Sequence, residues 1–310
     1  MKTRLVILIL LMFTKSAQPQ QPRLQLDDLD PAVKEWLRDN LDDRVLQALT
    51  EPDQERVRKL LDELTRDLQN DDVYDLAPLK DAATALLPLL LQSEETRPYA
   101  EWLQTRLDYL DAAAELRRRM QSPSKPGVPT PPLPRPSRQL QRTVWDQELE
   151  KRPLPPQAQG YAPRFKPIFT AGGAPAQLVW LAEVESSFNP RAKSPAGATG
   201  MFQLTSPTAR RLGLSTWLPD ERLNPDKSAR AAAKYLRYLH SRFGDWRLAL
   251  AAYNAGEGRV EELLKKYKTR SFDAIVNHLP AETQMYVPKC EATLKKREGL
   301  TLEQLKLPKG

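Results

Sequence analysis

Apolar residues recur every three or four positions along most of this chain, a spacing that predicts helices and leaves almost nothing to read as strand. Asp30-Pro31 supplies an N-cap with proline at the first helical position, and Val33, Trp36, Leu37, Leu41, Val45 and Leu49 follow at helical spacing. A second helix carries Val57, Leu60, Leu61, Leu64 and Leu68. A third runs through Leu79 to Leu91, with Pro88 placed to kink or end it. A fourth extends from about Glu94 to Met120 and carries Trp102, Leu103, Leu107, Leu110 and Leu116. Short connections of this kind favour an antiparallel bundle, so residues 27–120 read as a helical accessory domain. That stretch holds no histidine, cysteine or glycine-rich loop, and an interaction or spacer role is expected of it.

Between Ser122 and Ser137 stand seven prolines, which deny the backbone its donors and favour extended, semi-rigid conformations. Residues 121–137 are therefore read as a linker, and residues 138–164 as a connecting segment with a short helix over 138–151. In residues 165–310 the spacing predicts helices over about Pro175–Ser187, Pro207–Leu212 (capped by Ser206) and Pro225–Phe243 (capped by Asn224). Further helices are expected over Asp245–Tyr253, Arg259–Tyr267, Ser271–Asn277 and Ala281–Lys296. The expected class is all-α, with a cleft-bearing domain at the C-terminal end.

Charge divides this plan in two. Residues 21–120 carry 14 Lys+Arg against 23 Asp+Glu, net −9, whereas residues 161–310 carry 24 against 14, net +10. A basic half suits an anionic polymer, and no nucleic-acid motif accompanies it. Met1 to Arg4 is basic and Leu5 to Phe13 apolar; nine apolar residues fall short of the ~20 needed to cross a bilayer as a helix. Residues 1–16 are read as a secretory signal peptide, with Thr14 and Ser16 as the small residues before a cut, and export to the periplasm is the expectation. An uncleaved signal would retain the protein at the membrane. The single cysteine, Cys290, lies in an apolar helical pattern and reads as a small core residue. His240 and His278 have no metal-ligand spacing, so no metal and no cofactor is expected.

Candidate chemistry concentrates in the stretch Leu178 to Pro190, which places a carboxylate at the end of a strongly apolar helix. Glu183 and Glu185 are two positions apart and point about 200° apart, so they cannot line one cleft. Glu185 precedes Ser-Ser-Phe-Asn-Pro, where the helix stops and its end can open onto a groove; Glu183 reads as structural or solvent-facing. Burial of Glu185 would raise its pKa and keep a proton ready to donate near neutral pH. Ordinary glycoside hydrolases use two carboxylates. A search for the second one finds Asp220, Glu221 and Asp226 explained by capping, Asp245 by an N-cap, and Glu257, Glu261 and Glu262 by an exposed face. A site with one carboxylate is the resulting expectation. Gln203 offers an amide that can read an N-acetyl or hydroxyl group through donor and acceptor. Gly200 either lets the backbone approach a substrate or makes a plain turn.

Glu185-Ser186, Ser194, Gly200-Met201-Phe202-Gln203, Ala252-Tyr253-Asn254-Ala255-Gly256 and Glu282-Thr283-Gln284-Met285-Tyr286-Val287 together resemble, in order, the motifs of lytic transglycosylases with the lysozyme-like SLT domain. The resemblance covers roughly residues 165–297; Met201-Phe202 stands where the family often has Leu-Met, and Gln284 where it often has Arg. It implies a lysozyme-like fold and cleavage of peptidoglycan at the MurNAc-GlcNAc β-1,4 bond. In this chemistry one glutamate, Glu185, protonates the glycosidic oxygen and then acts as base on the C6 hydroxyl, giving 1,6-anhydro-MurNAc. It further implies that Ser186, Ser194, Gly200, Gln203, Tyr253, Asn254 and Tyr286 line the substrate site. The partners expected are peptidoglycan glycan strands, with a protein partner for the N-terminal helices and no nucleic acid. A hydrolytic muramidase and an inactive glycan-binding scaffold are the alternative readings.

Overall fold

The helical pattern predicts where the chain coils but not which helices pack together. The computed structural model answers this for residues 65–69, 72–91, 97–121 and 133–308, with Asp62 and Glu94. The expected signal peptide, the helix from Asp30 and the proline-dense stretch 122–132 lie outside these residues. The chain divides into two units between Leu60 and Leu61, and every described residue belongs to the unit from Leu61 onward.

Among the described residues the architecture is all-α, as expected, with only isolated bridges joining Thr199 to Lys193 and Leu204. A 3-10 turn at Val73–Leu76 leads to α1 (Leu79–Leu90) and α2 (Arg97–Met120). Pro88 sits in the last turn of α1, and the helix runs on to Leu90. Then come α3 (Arg138–Glu150), α4 (Ala158–Ala171), a 3-10 segment Ala176–Trp180 continued by α5 (Leu181–Ser186), and α6 (Ser206–Arg211). The remainder is α7 (Pro225–Phe243), α8 (Trp246–Ala255), α9 (Glu257–Lys266), α10 (Phe272–Ile275) and α11 (Ala281–Glu298).

Local signals fixed several boundaries. Asn224 accepts from the Lys227 amide at 3.0 Å and Pro225 opens α7, while Asp245 accepts from the Leu248 amide at 2.9 Å and caps α8. The cap of α6 is Thr205, one residue before the expected Ser206. Helix α4 departs from the sequence expectation, because Pro163 and Pro167 stand inside it. Its stability comes from packing instead: Phe165 and Phe169 are fully buried and bring their rings within 6.0 and 5.6 Å of Phe202.

The expectation of an accessory domain over residues 27–120, separate from a domain over 165–310, needs correction for the described helices. Helix α2 packs on α3 and α5, and the Val73–Leu76 turn packs on α11. Trp102, Leu103, Tyr109, Leu110 and Leu116 of α2 are buried, and Tyr109 meets the fully buried Trp145 of α3 edge to face at 5.5 Å. Polar groups cross the same boundary. Asp108 pairs with Lys289 at 2.8 Å and with Arg152 at 2.9 Å, while Lys289 also donates to the Thr105 carbonyl at 3.0 Å. An amphipathic helix advertises an apolar face without naming what covers it, and here the cover is the C-terminal half of the chain.

Candidate active site

Glu185 is the penultimate residue of α5, and the chain leaves the helix abruptly after it. Ser187 and Phe188 both adopt left-handed backbone, with φ of 52° and 63°. That conformation is costly for a residue as large as phenylalanine, by ~1–3 kcal/mol, and persists because its surroundings hold it. Phe188 is fully buried edge-on to Trp180 at 5.8 Å, so its packing anchors the turn. The glutamate that this turn positions is 4% exposed.

Glu185 Oε1 accepts from the Tyr286 hydroxyl at 2.6 Å, and Oε2 lies 3.9 Å from the Arg106 guanidinium. Burial is the largest influence on the acid and raises its pKa from the ordinary 4.5 to about 7. Arg106, the Tyr286 hydrogen bond and Lys289 oppose that rise, and Glu282 adds to it. Burial likewise drives the Tyr286 phenol well above its usual range, so it stays a donor. Glu183 turns the other way, buried and held in a fork by Arg297 at 2.7 and 2.9 Å, which makes it structural.

The Gly-Met-Phe-Gln loop is built around three residues. Gly200 has φ of +82°, and a Cβ there would lie 2.0 Å from the Arg222 carbonyl oxygen. The close approach that requires glycine is thus to the backbone of this chain. Gly200→Ala is expected to destabilise the protein by ~3 kcal/mol or more, read as a lowered chemical-denaturation midpoint, because neither the backbone angle nor the carbonyl can yield cheaply. Arg222, buried and unflagged in the sequence, donates to the carbonyls of Gly197 and Leu204 at 3.0 and 3.1 Å. Gln203, 8% exposed and with φ of 46°, donates Nε2 to the carbonyls of Ala192 and Gly200 at 3.1 and 2.8 Å. Its Oε1 is buried without a hydrogen-bond partner, which leaves an acceptor.

The other sequence-predicted site residues converge by different routes. Ser186 Oγ donates to the Met201 carbonyl at 2.8 Å, tying the end of α5 to the loop. The Ser194 hydroxyl accepts from the Ala198 amide at 3.0 Å and closes the 194–198 turn. Tyr253, at the end of α8, donates to the Phe202 carbonyl at 2.7 Å, and Asn254 Oδ1 accepts from Thr283 at 2.6 Å. Tyr253 and Asn254 are half-buried, whereas Ser186 and Ser194 are buried. Cys290 is buried, as the apolar pattern suggested.

Two members of the site escape a reading of the sequence. Glu282 falls inside one of the motifs, but nothing in the pattern marks it as a second carboxylate; it is buried and shares Arg106 with Glu185. Both of its oxygens are engaged, Oε1 by Arg106 at 3.2 Å and Oε2 by Gln69 at 3.2 Å. Arg106 itself stands in a helix with no motif, and no signal in the sequence marks it.

Residues 168–276 match the family described as Transglycosylase SLT domain. The chain is 44% identical over 119 residues to a protein of Escherichia coli named membrane-bound lytic murein transglycosylase D, covering 37% of this chain and 26% of that one. It is 37% identical over 124 residues to membrane-bound lytic murein transglycosylase F of Vibrio cholerae, covering 36% and 22%. It thus spans about a quarter of the length of these relatives. Among solved structures, the 70 kDa soluble lytic transglycosylase of Escherichia coli aligns with a TM-score of 0.43 at 21% identity, over 91% of this chain and 49% of that one. The motifs around Glu185, Gly200 and Tyr253 all fall inside the residues that match the Transglycosylase SLT domain.

Proposed function

We propose that this protein is a peptidoglycan lytic transglycosylase that cleaves the MurNAc-GlcNAc β-1,4 bond and releases 1,6-anhydro-MurNAc. The observation that carries this reading is a buried carboxyl group that keeps its proton to about pH 7 with no unengaged carboxylate beside it. Glu185 donates that proton to the glycosidic oxygen as the C1–O bond breaks and the 4-hydroxyl leaves. The resulting carboxylate takes the proton of the C6 hydroxyl, whose oxygen closes onto C1. The proton returns to Glu185, and no water is consumed. A pKa near the working pH suits a group that must act as acid and then as base. Glu282 is tied to Arg106 and Gln69 and is not a free carboxylate placed to activate a water.

Gln203 places its amide beside the site with Oε1 shielded from solvent, and Tyr253 and Asn254 present the half-buried edge of the site to the glycan. Ser186, Ser194 and Gly200 act one step back, by shaping the loop that carries Gln203. The net +10 of residues 161–310 favours a glycan strand whose peptides bear carboxylates. Export to the periplasm, with the signal over residues 1–16, belongs to the same reading, as does a protein partner for the N-terminal helices. The relatives are named as membrane-bound; among the described residues here, no helix is long and apolar enough to cross a membrane.

Mass spectrometry of muropeptides released by the purified protein tests the proposal. Anhydro products are expected. Reducing ends would mean hydrolysis by a muramidase, and no product would leave a glycan-binding scaffold.

A further inference from the structure

The SLT match spans residues 168–276, yet the groups nearest Glu185 come largely from outside it. Tyr286 and Glu282 belong to α11, and Arg106 belongs to α2, 79 positions before Glu185 in the chain. Arg106 is 5% exposed and makes more contacts than a simple ion pair requires. Its Nη1 donates to the Glu185 backbone carbonyl at 3.2 Å and to Thr105 Oγ1 at 2.8 Å. Its Nε and Nη2 donate to Glu282 Oε1 at 3.3 and 3.2 Å, and Nη2 reaches to 3.9 Å from Glu185 Oε2. The guanidinium lies over the Trp102 ring at 5.4 Å and near the Tyr109 ring at 6.0 Å, which fix its plane.

We infer that Arg106 is a positioning residue of the glutamate site: one guanidinium, delivered by a helix outside the SLT match, clamps Glu185 and Glu282 together and decides where in the pH range Glu185 exchanges its proton. The inference rests on the reading of Glu185 as the proton-transferring group. Two buried carboxylates that share a site cannot both ionise without a cation between them. A planar fork can serve both at once, where the point charge of a lysine cannot.

The ionisable groups facing Glu185 are few. From α2 comes Arg106, with Asp108 and Tyr109 behind it; from α11 come Glu282, Tyr286, Lys289 and Cys290; from α8 comes Tyr253. Lys289 is committed to Asp108 and the Thr105 carbonyl. Arg106 is therefore the cation whose removal Glu185 should sense most strongly. Burial opposes the Arg106 charge, but Glu282, Tyr109, Glu185 and Asp108 more than offset it, so the clamp is charged at every working pH.

The test uses the full chain with three substitutions, Arg106→Met, Arg106→Lys and Glu282→Gln. Folding is followed by near-ultraviolet circular dichroism, and the Glu185 side chain is titrated by carbon-13 carboxyl resonance, assigned with Glu185→Gln. Arg106→Met should move the Glu185 midpoint up by about one pH unit or more, and Glu282→Gln should move it down. Arg106→Lys should recover part of the shift. In glycan-cleavage assays the alkaline limb of kcat should follow the same two directions, with KM little changed and the maximal kcat on the acid side of that limb falling ~10-fold or more in Arg106→Met, because the carboxyl is no longer held in place.

A Glu185 midpoint that stays put in folded Arg106→Met, or fails to fall in Glu282→Gln, would overturn the inference. So would a higher maximal kcat in Arg106→Met on the acid side of the alkaline limb, which would make α2 a cover over the site. If Arg106→Met does not fold, Arg106→Lys decides in its place: a Glu185 midpoint identical to the native one would overturn the inference. Both shifts without any anhydro product would support the clamp while overturning the proposed reaction, because the titration does not depend on cleavage.

Discussion

Glu185→Gln is expected to reduce anhydro-muropeptide release by ~10²–10⁴-fold while raising the stability of the protein at neutral pH. Glutamine keeps the size of the side chain and an oxygen for the Tyr286 hydroxyl at 2.6 Å, but has no proton to transfer. The stability effect follows from the raised pKa. Below pH 4.5 the carboxyl is protonated in folded and unfolded chains alike, and the substitution changes little. Between 4.5 and about 7 the unfolded chain releases a proton that the folded chain retains, so the native protein loses stability as pH rises. Above that window the full penalty, about 3 kcal/mol, is present, and glutamine removes it. Denaturation midpoints for the two proteins should therefore coincide near pH 4 and separate by pH 8, with the variant higher. Parallel curves would mean that Glu185 is not held protonated by burial. On the proposed reading, glycan cleavage by the native protein should fall on the alkaline side as pH passes about 7. Glu183→Gln makes a different comparison: it weakens the buried fork to Arg297 and should lose stability, not chemistry.

Residues 138–310 expressed alone are expected to lack cooperative melting and glycan cleavage, whereas residues 61–310 should have both. Without α2, Trp145 of α3 loses the Tyr109 edge and becomes open to water, together with the apolar faces of α3 and α5 that α2 covers. Each large side chain so uncovered forfeits ~1.5–3 kcal/mol, and several of them consume the 5–15 kcal/mol that stabilises an ordinary domain. Water would partly replace Asp108 at Lys289 and Arg106 at Glu282, so the ionic loss is the smaller one. The same water would reach Glu185 and draw its pKa back towards 4.5, removing the proton at neutral pH even from chains that remained folded. Differential scanning calorimetry of the two fragments measures the first effect, and muropeptide release the second. A sharp, native-like transition in residues 138–310 would show that α2 is the accessory helix the sequence suggested.

The sequence by itself determined the elements whose signals are local. The Asn224-Pro225 start of α7, the Asp245 cap of α8 and the break after Glu185 are each written within a few residues, because caps and helix stops involve neighbours in the chain. The opposite fates of Glu183 and Glu185 were legible for the same reason, since two positions on a helix fix an angle. Helix α4 was hidden because Pro163 and Pro167 argue against a helix locally, and only the rings packed on Phe202 outweigh them. The tertiary structure alone decided that Gly200 yields to the Arg222 carbonyl and that Glu282 stands beside Glu185. It also decided that α2 belongs to the unit that holds Glu185. Arg106 reaches a carboxylate 176 positions away. Burial, charge pairing and the pKa they set are properties of what surrounds a group, and a periodic pattern records only that a face is apolar, not what will cover it.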